Sequence, residues 1–214
     1  MQNRNTTKLV CFATVLLIQA APLRAGDAKS SKENSVKLDR YGVSFRAPSG
    51  WFLPEHEKIA ENIRKLDSEK EDIRSIMASN RGSIVVATYS RYNPRGRAGL
   101  IPTINVLGKP NPHNTLDVFR DMIEASAQSM GSVLRNDVLK VAPTQRNLNG
   151  RRVINFTAEY DLSTEEGGNY RVWSTTYAIP CRDIFLQVSM NESLPAGHSA
   201  VFERFIGSFA FKDP

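Results

Sequence analysis

The chain has 214 residues, a formal net charge of +6, two cysteines and three histidines. Three of the basic residues, Arg4, Lys8 and Arg24, lie in the first 25 positions, where no acid occurs. Without that segment the charge falls to about +3, well short of the dense Lys/Arg face of a nucleic-acid binder. Cys11 lies in the same segment, which leaves Cys181 alone and no internal disulfide to form, so the fold must rest on a core.

Arg4 and Lys8, the apolar run 9–18 and the small residues up to Ala25 have the three-part form of a secretory signal peptide cut near Ala25. The run is shorter than the roughly 20 residues of a membrane helix, and no other uninterrupted apolar run of comparable length follows. The expected product is exported to a bacterial periplasm or beyond the cell, with no transmembrane segment in the mature form. Lys8, three residues before Cys11, disagrees with lipoprotein processing. Residues 26–37 are polar and predict a disordered linker. A single domain is expected over 38–214.

In "YGVSFRAPSGW" Tyr41, Val43 and Phe45 alternate with Gly42, Ser44 and Arg46, the period of a half-buried strand. Pro48-Ser49-Gly50 then turns the chain onto Trp51. Ile59, Ile63, Leu66, Ile73 and Met77 form one stripe of a charged helix over 54–78, suited to packing on a sheet. The β-branched run 83–92 predicts a strand, "NPRGRAG" a basic loop, and "LIPTINVLGKP" another strand in which Pro102 marks an edge or a strand start. Asn114 can cap a second helix with Leu116, Phe119, Ile123 and Met130 on its buried face. A β-meander follows, turned at Asn149-Gly150 and at Glu166-Gly167-Gly168. A last helix from about Ser199 presents Phe202, Phe205, Ile206 and Phe209 before "FAF". Runs of strands with few helices between them argue an α+β fold, an antiparallel β-sheet with helices packed on its faces.

Several of these segments together, "YGVSFRAPSGW", "IPTINVL", "NLNGRRVINFTAEY", the meander and "FIGSFAF", resemble the PsbP-like superfamily. The resemblance covers roughly residues 38 to 212. It implies an α/β/α sandwich that acts as a docking or assembly factor rather than as an enzyme. The long charged helix departs from the shorter connection expected there, and no ligand motif of the family matches residue by residue.

Catalytic patterns are incomplete. "HEKIA" at His56 begins like a zinc-protease helix, but Ala60 stands where the second histidine ligand is needed. His113 and His198 sit in Pro/Gly-flanked loops. No G-x-S-x-G elbow occurs, and "GKPN" at Gly108 lacks the spacing of a phosphate-cradling loop. Arg182 beside Cys181 could activate a thiol, whereas the plain reading is a turn cysteine. Glu165 and Glu166 read as solvated turn acids. No cofactor and no metal are expected.

Two surface candidates remain. Tyr89, Arg91, Tyr92, Arg95 and Arg97 in "YSRYNPRGRAG" combine the residue types that concentrate binding energy in interface centres, and form the candidate partner-binding set. Trp51 is expected to plug one end of the core against the terminal helix, with ligand stacking as the functional alternative. The expected function is a non-catalytic module that docks an envelope protein or an acidic envelope component. The alternative is a small exported hydrolase or small-ligand carrier with a pocket between helix and sheet.

Overall fold

The computed structural model describes residues 35–53, 56–67, 82–93, 99–111, 115–129, 135–163 and 168–212. In chain order the elements are β1 (Ser35–Leu38), a 3-10 turn (Asp39–Tyr41), β2 (Val43–Arg46), α1 (His56–Asp67), β3 (Ile84–Ser90), β4 (Thr103–Pro110) and α2 (Leu116–Ser129). Then come β5 (Arg135–Leu148), β6 (Arg151–Ser163), β7 (Asn169–Cys181), β8 (Ile184–Ser193), α3 (Ser199–Gly207) and β9 (Ala210–Phe211). Every strand pair is antiparallel. A six-stranded sheet has the order β3-β4-β8-β7-β6-β5, and a small sheet has the order β1-β2-β9.

Strand alternation splits the core in two. Ile154, Phe156, Ala178 and Phe185 face one way and meet Phe119 and Ile123 of α2. Their neighbours Val153, Tyr177, Ile179 and Leu186 face the other way and join α3, β2 and β3 in the larger cluster. The four aromatic and aliphatic positions read from the last helix are all buried. Phe209 stacks on Phe45 at 4.7 Å, Phe205 meets the edge of Tyr89 at 5.7 Å, and Phe202 meets Tyr177 at 6.0 Å. The terminal segment thereby clamps the first strands, and β9 completes the clamp by pairing with β2.

The Asn149-Gly150 turn has the two positive φ values, 48° and 89°, that a tight hairpin requires. Its Asn149 amide also donates to the carbonyls of Gly207 and Phe209, so the hairpin tip closes the end of α3.

Some boundaries differ from the sequence reading. Ser35, Val36 and Lys37 fall in the segment assigned to a disordered linker, yet they form β1, because Val36 pairs with Phe45 and packs on the core. The rest of that linker and the signal segment lie outside the described residues. So do Ile73 and Met77, residues 164–167, and the side chain of Met130. Pro102 precedes β4, and β4 lies between β3 and β8, so the strand-start reading holds and the edge reading does not. The Pro102 carbonyl accepts the Arg91 N–H at 2.9 Å.

Candidate functional site

The two surface candidates, forty residues apart in sequence, meet at one end of the six-stranded sheet. Pro48-Ser49-Gly50-Trp51 closes a turn in which Trp51 N–H donates to the Pro48 carbonyl at 3.3 Å. Gly50 has φ +72°, which favours glycine at the third position of such a turn. The next residue, Phe52, exchanges both backbone hydrogen bonds with Ser90, at 2.8 and 2.9 Å, and so hangs the turn on the end of β3.

That bridge places Arg91 beside the turn. Its guanidinium donates to the Gly50 carbonyl at 3.2 Å and lies over the Tyr92 ring, 5.3 Å from the centroid. Ser90 Oγ donates to the Tyr92 carbonyl at 2.8 Å. Tyr92 remains 38% exposed, an unusual state for a large aromatic held this firmly. Arg95 and Arg97 follow in the chain but lie outside the described residues.

Tyr89 does not belong to this surface. In β3 it pairs with Ile104 and points into the larger core, where it is 1% exposed. Burial pushes its hydroxyl above the ordinary tyrosine range. Composition groups Tyr89 with Tyr92, but Tyr89 lies inside β3, where Val86 to Ser90 are all buried, and Tyr92 lies beyond the end of the strand.

Trp51 is half-buried rather than fully plugged. Its ring meets the edge of His198 at 5.9 Å, so it touches the N-terminal boundary of α3, where His198 precedes the first helical residue. His198 is itself held by Glu192, which the sequence reading did not single out. Glu192 Oε2 accepts the Gly197 N–H at 3.0 Å and the His198 N–H at 3.1 Å, and lies 2.9 Å from His198 Nδ1. The carboxylate is 1% exposed, and its Oε1 has no protein partner among the described residues. Leu194, in the loop between Glu192 and His198, is exposed at this end of the sheet, with its N–H on the Arg171 carbonyl.

A guanidinium, an exposed phenol ring and a half-exposed indole sit on a frame fixed by backbone bonds. Elsewhere, Cys181 is a buried thiol whose Sγ lies 3.4 Å from the Ile179 carbonyl, and burial raises its pKa to about 12 against the lowering effect of Arg151. It is neither a turn residue nor an activated nucleophile, since it ends β7 facing the core. Among the described residues, no three His, Cys, Asp or Glu side chains gather at metal-binding range. The side chain of His56, and His113, lie outside the described residues. No described helix is long and apolar enough to cross a membrane.

No protein family and no curated protein matches the sequence. In three dimensions the chain is similar to the solution structure of cyanobacterial PsbP (CyanoP) from Synechocystis sp. PCC 6803, with a TM-score of 0.50 and 10% identity over 89% of this chain and 99% of that one. It is also similar to LpqN, involved in cell envelope biogenesis of Mycobacterium tuberculosis, with a TM-score of 0.45 and 11% identity over 86% and 87%. The Ran-binding protein Mog1p of Saccharomyces cerevisiae gives a TM-score of 0.44 and 10% identity over 85% and 96%. The antiparallel sheets, the three described helices packed on them and the near-complete overlap with the Synechocystis protein give this chain the PsbP-like fold.

Proposed function

We propose that the chain is an exported, non-catalytic binding module whose Trp51 end docks an acidic protein or another acidic component of the cell envelope. The observation that carries the reading is the fixed Arg91–Tyr92 pair, bonded to Gly50 and exposed beside a segment that adds Arg95 and Arg97 with no acid between residues 89 and 99. A part-exposed arginine and an exposed tyrosine on a rigid frame lose little side-chain entropy on binding, which is where interface energy concentrates. The signal-like first 25 residues support the export half of the proposal.

The hydrolase alternative would use Cys181 or a histidine. Burial of Cys181 keeps its thiol protonated and out of reach of a substrate, and Glu192 occupies His198 in holding a loop. The carrier alternative needs an enclosed pocket between helix and sheet, and the groove beside α1 among the described residues is an open one.

A photo-crosslinking residue placed at Tyr92 tests the proposal in an envelope fraction. Adducts should form at low salt, weaken at moderate salt and fall when Arg91, Arg95 and Arg97 are replaced together by alanine, because exposed charges act through a screened field. Equal adduct yield from both proteins at both salts would remove this surface as the docking site.

A further inference from the structure

A second surface stands independently of the Arg91–Tyr92 pair. Among the described residues, strand β1 is paired on one side only, with β2. Its other side borders a groove of about 960 Å³ lined by Ser35, Val36 and Lys37 in succession. Successive strand side chains point to opposite faces, so three consecutive residues line one groove only when the strand presents its edge to it. The opposite wall is the apolar flank of α1, Ile59 and Ile63, with Leu53 and Tyr89 beneath. Among the described residues no backbone hydrogen bond beyond the β2 ladder reaches Ser35, Val36 or Lys37.

We propose that this edge and the flank of α1 form a docking groove for an extended acidic peptide segment of a partner protein, added to the small sheet as a fourth strand beside β1. An unpaired edge supplies main-chain bonds, and alternate side chains of the incoming strand drop onto the apolar wall. The charge of the rim selects the occupant. Lys37 and Arg64 line the groove against Glu57, while Lys58 and Glu61 are both already engaged, Glu61 by Lys65 at 2.7 Å. The outward positions of the incoming strand therefore favour Asp or Glu. The chain's own segment 26–34, "GDAKSSKEN", carries no large apolar side chain for the wall. A second copy of β1 would bring Lys37 against the same basic rim.

The test is an amide NMR titration of the isotope-labelled protein with a short acetylated peptide alternating valine and glutamate. A control peptide has the same composition with the valines in one block. The alternating peptide should shift the signals of Ser35 to Lys37 and of Ile59 and Ile63, and slow hydrogen exchange at the β1 amides. Lys37→Glu, at an exposed position that leaves the core intact, should weaken binding by about fivefold. Equal binding of the blocked peptide, or shifts confined to residues 91 and 92, would overturn the proposal. It would equally be overturned by β1 amides already protected before any peptide is added: concentration-dependent protection would identify a second copy, and concentration-independent protection the chain's own segment.

Discussion

Replacing Glu192 tests whether the Trp51 end is a built frame. Three donors converge on one oxygen: two backbone N–H groups of the loop before α3 and the His198 ring nitrogen, all between 2.9 and 3.1 Å. Glu192→Ala removes the shared acceptor of donors that lie on exposed Gly197 and part-exposed His198, and leaves a gap under His198. Leaving hydrogen-bond donors without their acceptor costs about 1 to 3 kcal/mol. Glu192→Gln keeps an oxygen in the accepting place, loses the charge assistance and buries its amide nitrogen where Oε1 has no partner, so it should cost less than alanine but not be neutral. The order of stability should be wild type, then Gln, then Ala, measured by urea unfolding. Hydrogen exchange at Gly197 and His198 should speed up in the same order. In a double-mutant cycle, His198→Ala combined with Glu192→Gln should show coupling of roughly 1 kcal/mol or more. A loss below about 1 kcal/mol for Glu192→Ala would refute the frame, since no buried carboxylate accepting three bonds is that dispensable.

Trp51→Ala should cost about 2 kcal/mol, below the full cost of truncating a buried aromatic, because the ring is only half-buried; a loss above 4 by urea unfolding would contradict that placement. Gln187→Leu should leave the unfolding midpoint unchanged or raise it, because Gln187 Oε1 is buried without a partner and its amide makes one long bond, 3.3 Å, to Ser189; a clear drop would show that the amide is fully satisfied. Burial raises the Cys181 thiol from its ordinary 9.0 to about 12. The unfolded chain thus releases this proton first, and the thiol's contribution to stability is fully present below pH 9 and lost as pH rises towards about 12, at about 1.4 kcal/mol per unit. Comparing the wild type with Cys181→Ala at pH 8 and pH 10 isolates this slope, and a pH-independent difference between the two would refute it.

The elements carried by strong periodicity were legible in the residues. Phe202, Phe205, Ile206 and Phe209 are spaced for one helical face followed by a turn, and all four are buried together. Val43 and Phe45 alternate within β2 as a strand must, whereas Tyr41 reaches the same core from the 3-10 turn before it. The start of β1 was not legible, because "SVKL" has one polar and one charged residue in four and owes its strand to pairing with β2. A short strand with so little to bury has no local signal stronger than that of a linker. Tyr89 shows the opposite error. Its composition matched an exposed cluster, yet it lies in β3, whose last five residues are all buried.

The site itself was half legible, and the missing half had a signal. In β8 the residues facing the larger core run Ile184, Leu186, Val188 and Met190, and the next position in that period is Glu192. An acid on the core-facing register of a strand must be answered, since an unpaired buried carboxylate is costly. Nothing local names the answering group, because the loop from Leu194 to Gly197 has first to fold back over the sheet before the amides of Gly197 and His198 can reach the acid. The same return brings His198 onto Trp51, and the Phe52–Ser90 bridge brings Trp51 beside Arg91. One buried acid therefore lies beneath the surface that two separate stretches of sequence had each suggested alone. Loosening that acid should disturb docking at Tyr92 without removing any docking residue, which ties the stability series at Glu192 to the crosslinking yield at Tyr92. A Glu192→Gln protein that unfolds earlier but crosslinks as well as the wild type would separate the two and show that the frame and the docking surface are not coupled.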